Sequence, residues 1–372
     1  MSRYIFSFGD KKTKKTFNSK NILGGKGANL AEMARLGLPV PPGFTISTEM
    51  CKIFYKNKKK LNPTFCNEIK RELKKIETKT KKKFGDYNNP LLVSVRSGSR
   101  VSMPGMMDTI LNLGLNDKTV ESLSKKTSND RFAKDSYRRF IQMYGNVVLG
   151  VESHLFEEMI DNYKLTKGVL LDTELNSDDW DGLIVNFKNL IFEKTKKKFP
   201  QDVFIQLFGA ISAVFLSWES KRAKTYRKLN HIPSDWGTAV NVQSMVFGNM
   251  GNDCATGVGF TRNPSTGENK FFGEYLINAQ GEDVVAGSRT PRYITKKAKE
   301  ESGAKEDSME EKMPKVFKEL KHVFIKLEKH YRDMQDIEFT VENNKLWMLQ
   351  TRNGKRTANA AIKIAVDMVK EK

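Results

Sequence analysis

Apolar and polar residues alternate with different periods along the chain, and the first 56 residues already show two of them. Residues 1–56 predict a strand, a loop, a helix and a second strand. The sequence GGKG at 24–27 precedes residues 28–36, in which apolar positions recur at helical spacing. Gly37 stands where helices commonly end, and the proline-rich passage after it favours an extended entry into the strand at 44–46.

Helical periodicity dominates the middle of the chain. Residues 61–84 predict a charged amphipathic helix, and residues 91–115 predict two apolar strands around a loop rich in Gly, Ser and Pro. Strand alternation stops in residues 116–200, which indicates a mostly helical insertion. Apolar residues on one face of 203–228 predict a single long helix.

The last third of the chain returns to strands. We predict strands from Ala239 onward and over 271–277, followed by a glycine-rich loop over 281–287. Residues 298–312 are polar and indicate a mobile connection, whereas residues 314–330 predict an amphipathic helix.

Composition limits the classes of protein to which the chain can belong. Its 372 residues indicate about two or three compact units. The net charge of +20 comes from lysine-rich runs without interleaved aromatic residues, which favours solvated surface over nucleic-acid binding. We find neither a transmembrane stretch nor a signal-peptide core. Three cysteines without a CxxC pair fit a reduced compartment, so we expect a cytoplasmic protein with no membrane partner.

The segment 94–114 is the most informative in the chain. An apolar strand leads into two arginines, Arg96 and Arg100, and a loop of small residues separates them from the next apolar run. Phosphate oxygens bind guanidinium groups and backbone N–H groups that can be approached closely. Taken alone, the segment also fits a polar surface turn, and the rest of the chain decides between the two interpretations.

Two alternating runs over 336–352 predict a β-hairpin. Because side chains in a strand alternate between faces, polar residues of both strands are predicted to share one face. Those residues are Asp336 and Glu338 on the first strand and Gln350 and Arg352 on the second. We place Trp347 and Leu349 on the opposite face.

The loop length of this hairpin decides whether the polar side chains meet. A two-residue loop at Asn343-Asn344 pairs Glu338 with residue 349, whereas a three-residue loop pairs 338 with 350 and 336 with 352. The apolar face is continuous only in the second register, so we predict the odd-length loop. Carboxylate and amide oxygens suit Mg²⁺, and the arginine suits phosphate. The alternative is a surface hairpin with an Asp–Arg ion pair worth about 0–1 kcal/mol.

Two further segments offer weaker contacts to a nucleotide. Lys26 lies in the glycine loop before a predicted helix, whose N-terminal N–H groups attract anions, although the spacing is not that of a Walker A loop. An apolar strand within 241–248 offers backbone groups to an adenine, with Met245 and Val246 beside the ring, but it also fits an ordinary buried strand. Four separated segments together favour nucleotide binding more than any one does.

Six segments, in this order, resemble the N-terminal nucleotide-binding domain of the pyruvate, phosphate dikinase family. The resemblance spans essentially the whole chain, and its motifs are long and specific. The matching stretches are GGKGANLAEMARLGLPVPPGFTI (24–46), SVRSGSRVSMPGMMDTILNLGLND (94–117), NVQSMVFGNMG (241–251), GFTRNPSTGE (259–268), GEYLINAQGEDVVAG (273–287) and DIEFTVENNKLWMLQTRNGKRT (336–357).

The resemblance implies an α+β fold of the ATP-grasp type, in which two lobes close on ATP, with a mostly helical insertion. The implied boundaries are 1–115 for the first part of one lobe, 116–200 for the insertion, 201–238 for a long helix returning to the first lobe, 239–357 for the second lobe and 358–372 for the start of a linker.

The resemblance also implies roles for individual residues. The implied catalytic residues are Lys26, Arg96 and Arg352. The implied ATP contacts are Lys26, Arg96, Gly105, Thr109, Gln243, Met245, Val246, Gln350 and Arg352, with the loop 102–109 closing over the triphosphate. The implied Mg²⁺ ligands are Asp336, Glu338 and Gln350. The roles of Arg100, Glu274 and Glu282 stay open.

The family converts ATP, pyruvate and phosphate into AMP, phosphoenolpyruvate and diphosphate. A histidine on a separate domain first takes the β,γ-pyrophosphoryl group of Mg-ATP, and a barrel domain later transfers a phosphoryl group to pyruvate. The four histidines of this chain do not lie in such a histidine segment. We therefore expect an isolated domain, a truncated product or one part of a split enzyme, which binds Mg-ATP without making phosphoenolpyruvate.

The resemblance implies ATP and AMP, the phosphohistidine domain and the pyruvate barrel domain as partners, and a homodimer for the full-length enzyme. Two alternatives stay open. One is the ATP-grasp donor domain of a phosphoenolpyruvate synthase or an antibiotic phosphotransferase. The other is a regulatory nucleotide-binding module without chemistry.

Overall fold

The structure is a computed structural model that describes residues 4–16, 18–286 and 289–371. Its strands are β1 (Ile5–Phe8), β2 (Gly43–Ile46), β3 (Lys83–Phe84), β4 (Pro90–Leu91), β5 (Val93–Gly98), β6 (Thr109–Leu113), β7 (Ala239–Ser244), β8 (Ala255–Phe260), β9 (Phe272–Ile277), β10 (Arg292–Tyr293), β11 (Gln335–Glu342) and β12 (Lys345–Asn353).

The helices are α1 (Ser19–Arg35), α2 (Thr48–Lys56), α3 (Pro63–Thr80), α4 (Thr119–Thr127), α5 (Asp130–Val147), α6 (Ser153–Lys167), α7 (Ser177–Thr195), α8 (Val203–Ser217), α9 (Lys221–Leu229), α10 (Gly281–Ala286), α11 (Lys296–Ser302), α12 (Met309–Lys312), α13 (Pro314–Tyr331) and α14 (Ala358–Lys370). Short 3₁₀ turns lie at Asp172–Glu174 and Ser234–Trp236.

The chain divides into two compact units. The first contains Met1–Phe8, Lys14–Ala28 and Pro42–Met245, and the second contains Gly9–Thr13, Asn29–Pro41 and Val246–Lys372. Helix α1 contributes to both, because the boundary between Ala28 and Asn29 lies inside it. Its backbone leaves helical geometry earlier, at Gly24.

The first unit is built on a five-stranded sheet in the order β1-β2-β7-β5-β6, with every paired strand antiparallel. One face is apolar, because the register aligns Phe44, Val242, Val95 and Ile110 in one row and all four are buried. Helices α5 and α8 pack against strands of this sheet. Its opposite face carries polar side chains and is described with the site.

Strand β7 is an important difference from the sequence-based boundaries. We assigned residues from 239 onward to the second lobe, but β7 lies between β2 and β5 in the first sheet. Conversely, Asn29–Pro41 belongs to the second unit although we assigned 1–115 to the first lobe. Local periodicity identifies a strand without saying which strands it pairs with.

The helical periodicity of residues 116–200 corresponds to α4, α5, α6 and α7. The prediction of one helix over 203–228 is wrong, since α8 ends at Ser217 and α9 begins at Lys221. Ser220 caps α9 by accepting a hydrogen bond from Ala223 N, and this serine was the missed signal. By length and composition the stretch Val203–Leu229 could cross a membrane, but 56 % of its most apolar window is buried, as in a core helix.

The second unit is built on a sheet in the order β10-β9-β8-β11-β12, again antiparallel throughout. Helix α13 packs against β11 and β12 through buried residues at helical spacing, as its sequence predicts. Helix α14 packs on Met334 through Ala360 and Ile364.

Two predictions for the second unit are corrected by the structure. Residues 298–312 contain most of α11 and all of α12, and Met309 is fully buried, so this stretch is not simply a polar connection. Residues 281–286 form α10 rather than a loop, and Gly287 lies outside the described residues.

Candidate functional site

Arg96 lies near the end of β5 and is 8 % exposed. Its Nη2 donates a hydrogen bond to Gln243 Oε1 on the neighbouring strand β7. Both residues are predicted nucleotide contacts, and the structure brings their side chains together. A guanidinium fixed in this way is oriented before any ligand arrives.

Register puts a row of four polar residues across this face of the first sheet. Thr45 pairs with Asn241, Asn241 with Arg96, and Arg96 with Thr109, so their side chains share one face. Thr45 Oγ1 donates to Asn241 Oδ1 over 2.8 Å, and Asn241 Nδ2 donates to Arg96 O over 3.5 Å. Sequence reasoning placed Arg96 and Thr109 in the site but missed Thr45 and Asn241.

The GGKG segment is a break inside α1 rather than a loop before it, which corrects the predicted arrangement. Gly24 has φ 67° and ψ 173°, and Gly25 N donates to Ser99 O over 2.8 Å. A Cβ at Gly27 would lie 2.8 Å from Asn241 Oδ1 and from both Thr45 branches, so this turn runs directly against the polar row. Lys26 directly precedes this glycine in the chain.

The loop between β5 and β6 is held at several points. Met103 is buried against Trp218 and Ala223, and the Asp108 carboxylate forms an ion pair with Arg222 on α9. Gly105 has φ 71° and open space around its Cβ position, which glycine tolerates and other residues rarely do. Gly105 is thus at an exposed tip between anchored residues.

The predicted adenine-binding segment begins within β7 and continues past its end. Met245 N donates to Leu92 O over 2.8 Å, and Met245 and Val246 are both partly exposed. Phe247 N donates to Glu342 Oε1 over 3.0 Å. The strand thus ends at Ser244, before the two residues that we placed beside the adenine.

The β11–β12 hairpin has the predicted pairs but reaches them by another route. Asp336 pairs with Arg352 and Glu338 with Gln350. The predicted three-residue loop is wrong, because Glu342 pairs with Lys345 around a two-residue turn. Glu338 pairs with Gln350, but the next residue, Phe339, pairs with Met348. Leu349 is therefore an unpaired bulge residue, and it shifts the register by one.

The bulge also corrects the place of Trp347. Trp347 pairs with Thr340, which lies on the face of Glu338, so Trp347 shares the polar face rather than the opposite one. Residues that precede the bulge on β12 therefore have the opposite alternation from the one predicted.

The polar pairs of the hairpin are hydrogen-bonded. Gln350 Nε2 donates to Glu338 Oε1 over 2.8 Å, and Arg352 Nε donates to Asp336 Oδ2 over 2.7 Å. Burial raises the pKa of Asp336, Arg352 opposes this, and the like charge of Glu338 adds to it. A cation beside these two carboxylates would relieve both effects.

Glu274, whose role we left open, lies on the same face of the second sheet. It pairs with Val258, which pairs with Glu338, so Glu274 is two strands from the hairpin carboxylate in the same row. Glu282 lies in α10, outside the sheet. Arg100 packs over the Trp236 ring at 5.0 Å. Within 4–16, 18–286 and 289–371, no group of three or more His, Cys, Asp and Glu residues is placed to hold a metal ion.

Each unit thus has one polar sheet face with the chemistry of a nucleotide contact. The face in the first unit offers cations and an amide, which suit phosphate and base groups. The face in the second unit offers two carboxylates, an amide oxygen and an arginine, which suit a hard cation and a phosphate bound to it.

Comparison with known proteins shows the family of the chain. The sequence model described as "Pyruvate phosphate dikinase, AMP/ATP-binding domain" matches residues 20–65, 58–319 and 306–372. The chain belongs to this family. The family and the two antiparallel sheets confirm the predicted α+β fold of ATP-grasp type.

Curated relatives of the family match the whole chain. Pyruvate, phosphate dikinase of Rhizobium meliloti (strain 1021) is 54 % identical over 371 residues, which are 100 % of this chain and 41 % of that protein. The protein of the same name from Clostridium symbiosum is 54 % identical over 372 residues, with the same coverage. The chloroplastic protein of Flaveria pringlei is 53 % identical over 367 residues, which are 99 % of this chain and 37 % of that protein. The chain therefore spans about two fifths of the length of these relatives.

Proposed function

We propose that this chain binds Mg-ATP and donates its β,γ-pyrophosphoryl group to a histidine on a separate domain, as the first step of a pyruvate, phosphate dikinase reaction. The observation that carries the proposal is the register of the β11–β12 hairpin. It aligns Asp336 with Arg352 and Glu338 with Gln350 on one sheet face, which is more than a surface hairpin with one ion pair needs.

The polar face of the first unit supports binding of the nucleotide itself. Arg96 is buried and oriented by Gln243, and Lys26 follows a glycine break that lies against the same face. We assign Lys26, Arg96 and Thr109 to the phosphates. We assign Met245 and Val246 to the base, because the chain leaves β7 there with partly exposed side chains. We assign Gln243 to the base as well, as a buried residue of β7 that orients Arg96 beside it.

The hairpin residues fit Mg²⁺. Asp336, Glu338 and Gln350 offer oxygen atoms to a hard cation, and the burial that raises the pKa of Asp336 is the cost a cation would offset. Bound there, Mg²⁺ would neutralise phosphate charge.

The protein's own part in the transfer is positioning and charge neutralisation. The histidine nitrogen attacks the β-phosphorus. The bond from that phosphorus to the α,β-bridging oxygen breaks, and AMP leaves with this oxygen. Arg352, with its side chain 41 % exposed and its Nε on Asp336, would neutralise charge on the transferring group.

The remaining proposals rest on the family to which the chain belongs and, for the location, on the cysteine pattern of the sequence. We propose that a phosphohistidine domain and a pyruvate-binding barrel domain act with this chain, that the complete enzyme is a homodimer and that it is cytoplasmic. The lengths of the relatives leave room for further domains, since this chain covers 41 % of two of them.

Titration with ATP tests the binding half of the proposal. The wild-type chain is expected to bind ATP with Mg²⁺ and more weakly without it, and Glu338→Ala is expected to need a higher Mg²⁺ concentration for the same affinity. Unchanged Mg²⁺ dependence in Glu338→Ala would remove Glu338 from the metal site. Tight ATP binding without transfer to an added histidine domain would favour a regulatory module.

A further inference from the structure

The loop between β5 and β6 packs against the end of α8, α9 and the residues that follow α9. Met103 is buried in a cluster contributed mainly by the α8–α9 junction and α9. The residues of this cluster are Met103, Trp218 and Ala223, with Met106, Met107, Tyr226, Ile232 and Trp236 packed around them. Ser217 Oγ lies 3.8 Å from Met107 Sδ. The conformation of the loop therefore depends on α9.

An ion pair holds the side chain at the end of this loop, and Ser97 N donates a backbone hydrogen bond to Asp108 O over 3.4 Å. The Asp108 carboxylate is paired with Arg222 Nη2, and the side chains are 18 % and 53 % exposed. Asp108 directly precedes Thr109, the first residue of β6 and the partner of Arg96 in the sheet register. Arg222 thus fixes the residue next to a predicted nucleotide contact while standing outside the polar row itself.

Removal of Arg222 would leave the mostly buried Asp108 carboxylate without its cation. Burial raises the pKa of Asp108, and Arg222 opposes that shift by its charge and hydrogen bond. A partly buried carboxylate without its cation is costly, so the loop end would move to bring Asp108 into water. Such a movement would shift Thr109 away from Arg96.

The beginning of the loop is hydrogen-bonded to the GGKG segment of α1. Ser99 O accepts from Gly25 N over 2.8 Å, and Gly25 lies beside Lys26. Pro104 and Gly105 are exposed between the two tethered ends. The residues on either side of this tip, Met103 and Met106, both belong to the cluster at α9.

We propose that Arg222 is a positioning residue for nucleotide binding, acting through Asp108 to hold Thr109 opposite Arg96. This inference rests on the proposed function, because it assumes that ATP binds at the polar face of the first unit. Arg222 acts through Asp108 and requires no contact with the nucleotide.

A double-mutant cycle on ATP affinity tests the proposal. Arg222→Gln and Asp108→Ala are each expected to weaken ATP binding by about tenfold, and the double variant by no more than either alone, because both changes break the same pair. Arg222→Lys, which keeps the charge, is expected to recover most of the loss. Lys228→Gln removes another exposed cation from α9 and is expected to bind like the wild type.

Amide hydrogen exchange without nucleotide gives an independent readout. Exchange at 103–110 is expected to be faster in Arg222→Gln and unchanged in Lys228→Gln. Wild-type ATP affinity in Arg222→Gln, or additive losses in the double variant, would overturn the positioning role while leaving the proposed function intact. A wild-type chain that binds no ATP would overturn both, whatever the exchange result.

Discussion

Glu338 accepts a 2.8 Å hydrogen bond from Gln350 across a hairpin whose two-residue turn would, by itself, pair Glu338 with Leu349. The bulge at Leu349 resolves this conflict. It lets the tight turn and the alignment of the four polar residues exist in the same hairpin, and it increases the local bend of the strand.

Deletions on either side of Gln350 test the role of the bulge. Deleting Leu349 removes the extra residue but keeps both polar pairs, so Mg-ATP affinity is expected to stay within about threefold of the wild type. Deleting Thr351 leaves Glu338 opposite Gln350 but moves Arg352 opposite the buried Ile337, and affinity is expected to fall by more than about tenfold. Equal losses in the two deletions, measured by calorimetric titration, would show that the register does not govern binding.

Arg352 is expected to act mainly on transfer. Arg352→Ala removes a charge that the transferring group needs, so we expect transfer to a histidine domain to slow by about a thousandfold, with ATP affinity changed by less than about threefold. Single-turnover kinetics and equilibrium titration of the same variant separate the two quantities. Equal losses in both would instead make Arg352 a ground-state ligand.

Two glycines of the GGKG segment give a matched comparison. A methyl group at Gly27 would lie 2.8 Å from Asn241 Oδ1 and from Thr45, whereas one at Gly25 would lie 3.6 Å from its nearest neighbours. Gly27→Ala is expected to cost about 1–3 kcal/mol of unfolding free energy and to weaken ATP binding, because the turn must leave the polar row. Gly25→Ala should be close to the wild type by chemical denaturation and by titration, and the reverse order would contradict the packing described for Gly27.

The helical part of the first unit contains a carboxylate that gives stability a defined pH dependence. Burial alone would raise the pKa of Asp135, but Arg138, Arg139 and Arg131 outweigh it and hold this pKa at about 2, below its ordinary 3.8. A lowered pKa stabilises the fold above the unfolded value, and this contribution is lost as the pH falls from about 4 to about 2.

Asp135→Asn is therefore expected to reduce the pH dependence of the unfolding free energy between about pH 4 and pH 2. Near neutrality it is expected to lower the unfolding free energy by about 3 kcal/mol, since Arg138 stays buried without this carboxylate. Denaturant titrations at several pH values measure this. Parallel curves for the wild type and the variant would rule out Asp135 as the source of the acid sensitivity.

Arg262 links the end of α14 to α13 within the second unit. It is 1 % exposed, and its guanidinium bonds Glu328 of α13 and Glu371 after α14. Arg262→Met is expected to lower unfolding free energy by about 3 kcal/mol, because two carboxylates lose their buried cation. Lys270→Gln breaks an exposed pair with Glu268 in the same unit and is expected to change stability little. If both variants melt at the same temperature, the buried pair contributes no more than the exposed one.

Much of the site could be predicted because strand alternation is local. The period of two places Asp336 with Glu338 and Gln350 with Arg352, and the need for a continuous apolar face selects their pairing. The route to that pairing could not be predicted, since a bulge and a longer turn shift the register by the same single residue. For the same reason Trp347 was assigned to the wrong face.

Contacts between residues far apart in the sequence could not be predicted. Thr45 and Asn241 join Arg96 only through the order β2-β7-β5, which no local pattern in those strands encodes. The Arg222–Asp108 pair likewise depends on α9 turning away from α8 at Ser217, where we expected one uninterrupted helix. Ser220 capped that turn, but a serine beside an apolar run is a weak signal.

Transfer from doubly labelled ATP to a separately supplied histidine domain distinguishes donation of a pyrophosphoryl group from donation of a single phosphoryl group. With label in the β- and γ-phosphates, the account predicts AMP release in proportion to protein-bound label, with both phosphates on the histidine domain and no transfer by Arg352→Ala at the same enzyme concentration and time. Release of ADP with a single phosphate bound, or ATP binding without any labelled histidine domain, would contradict it.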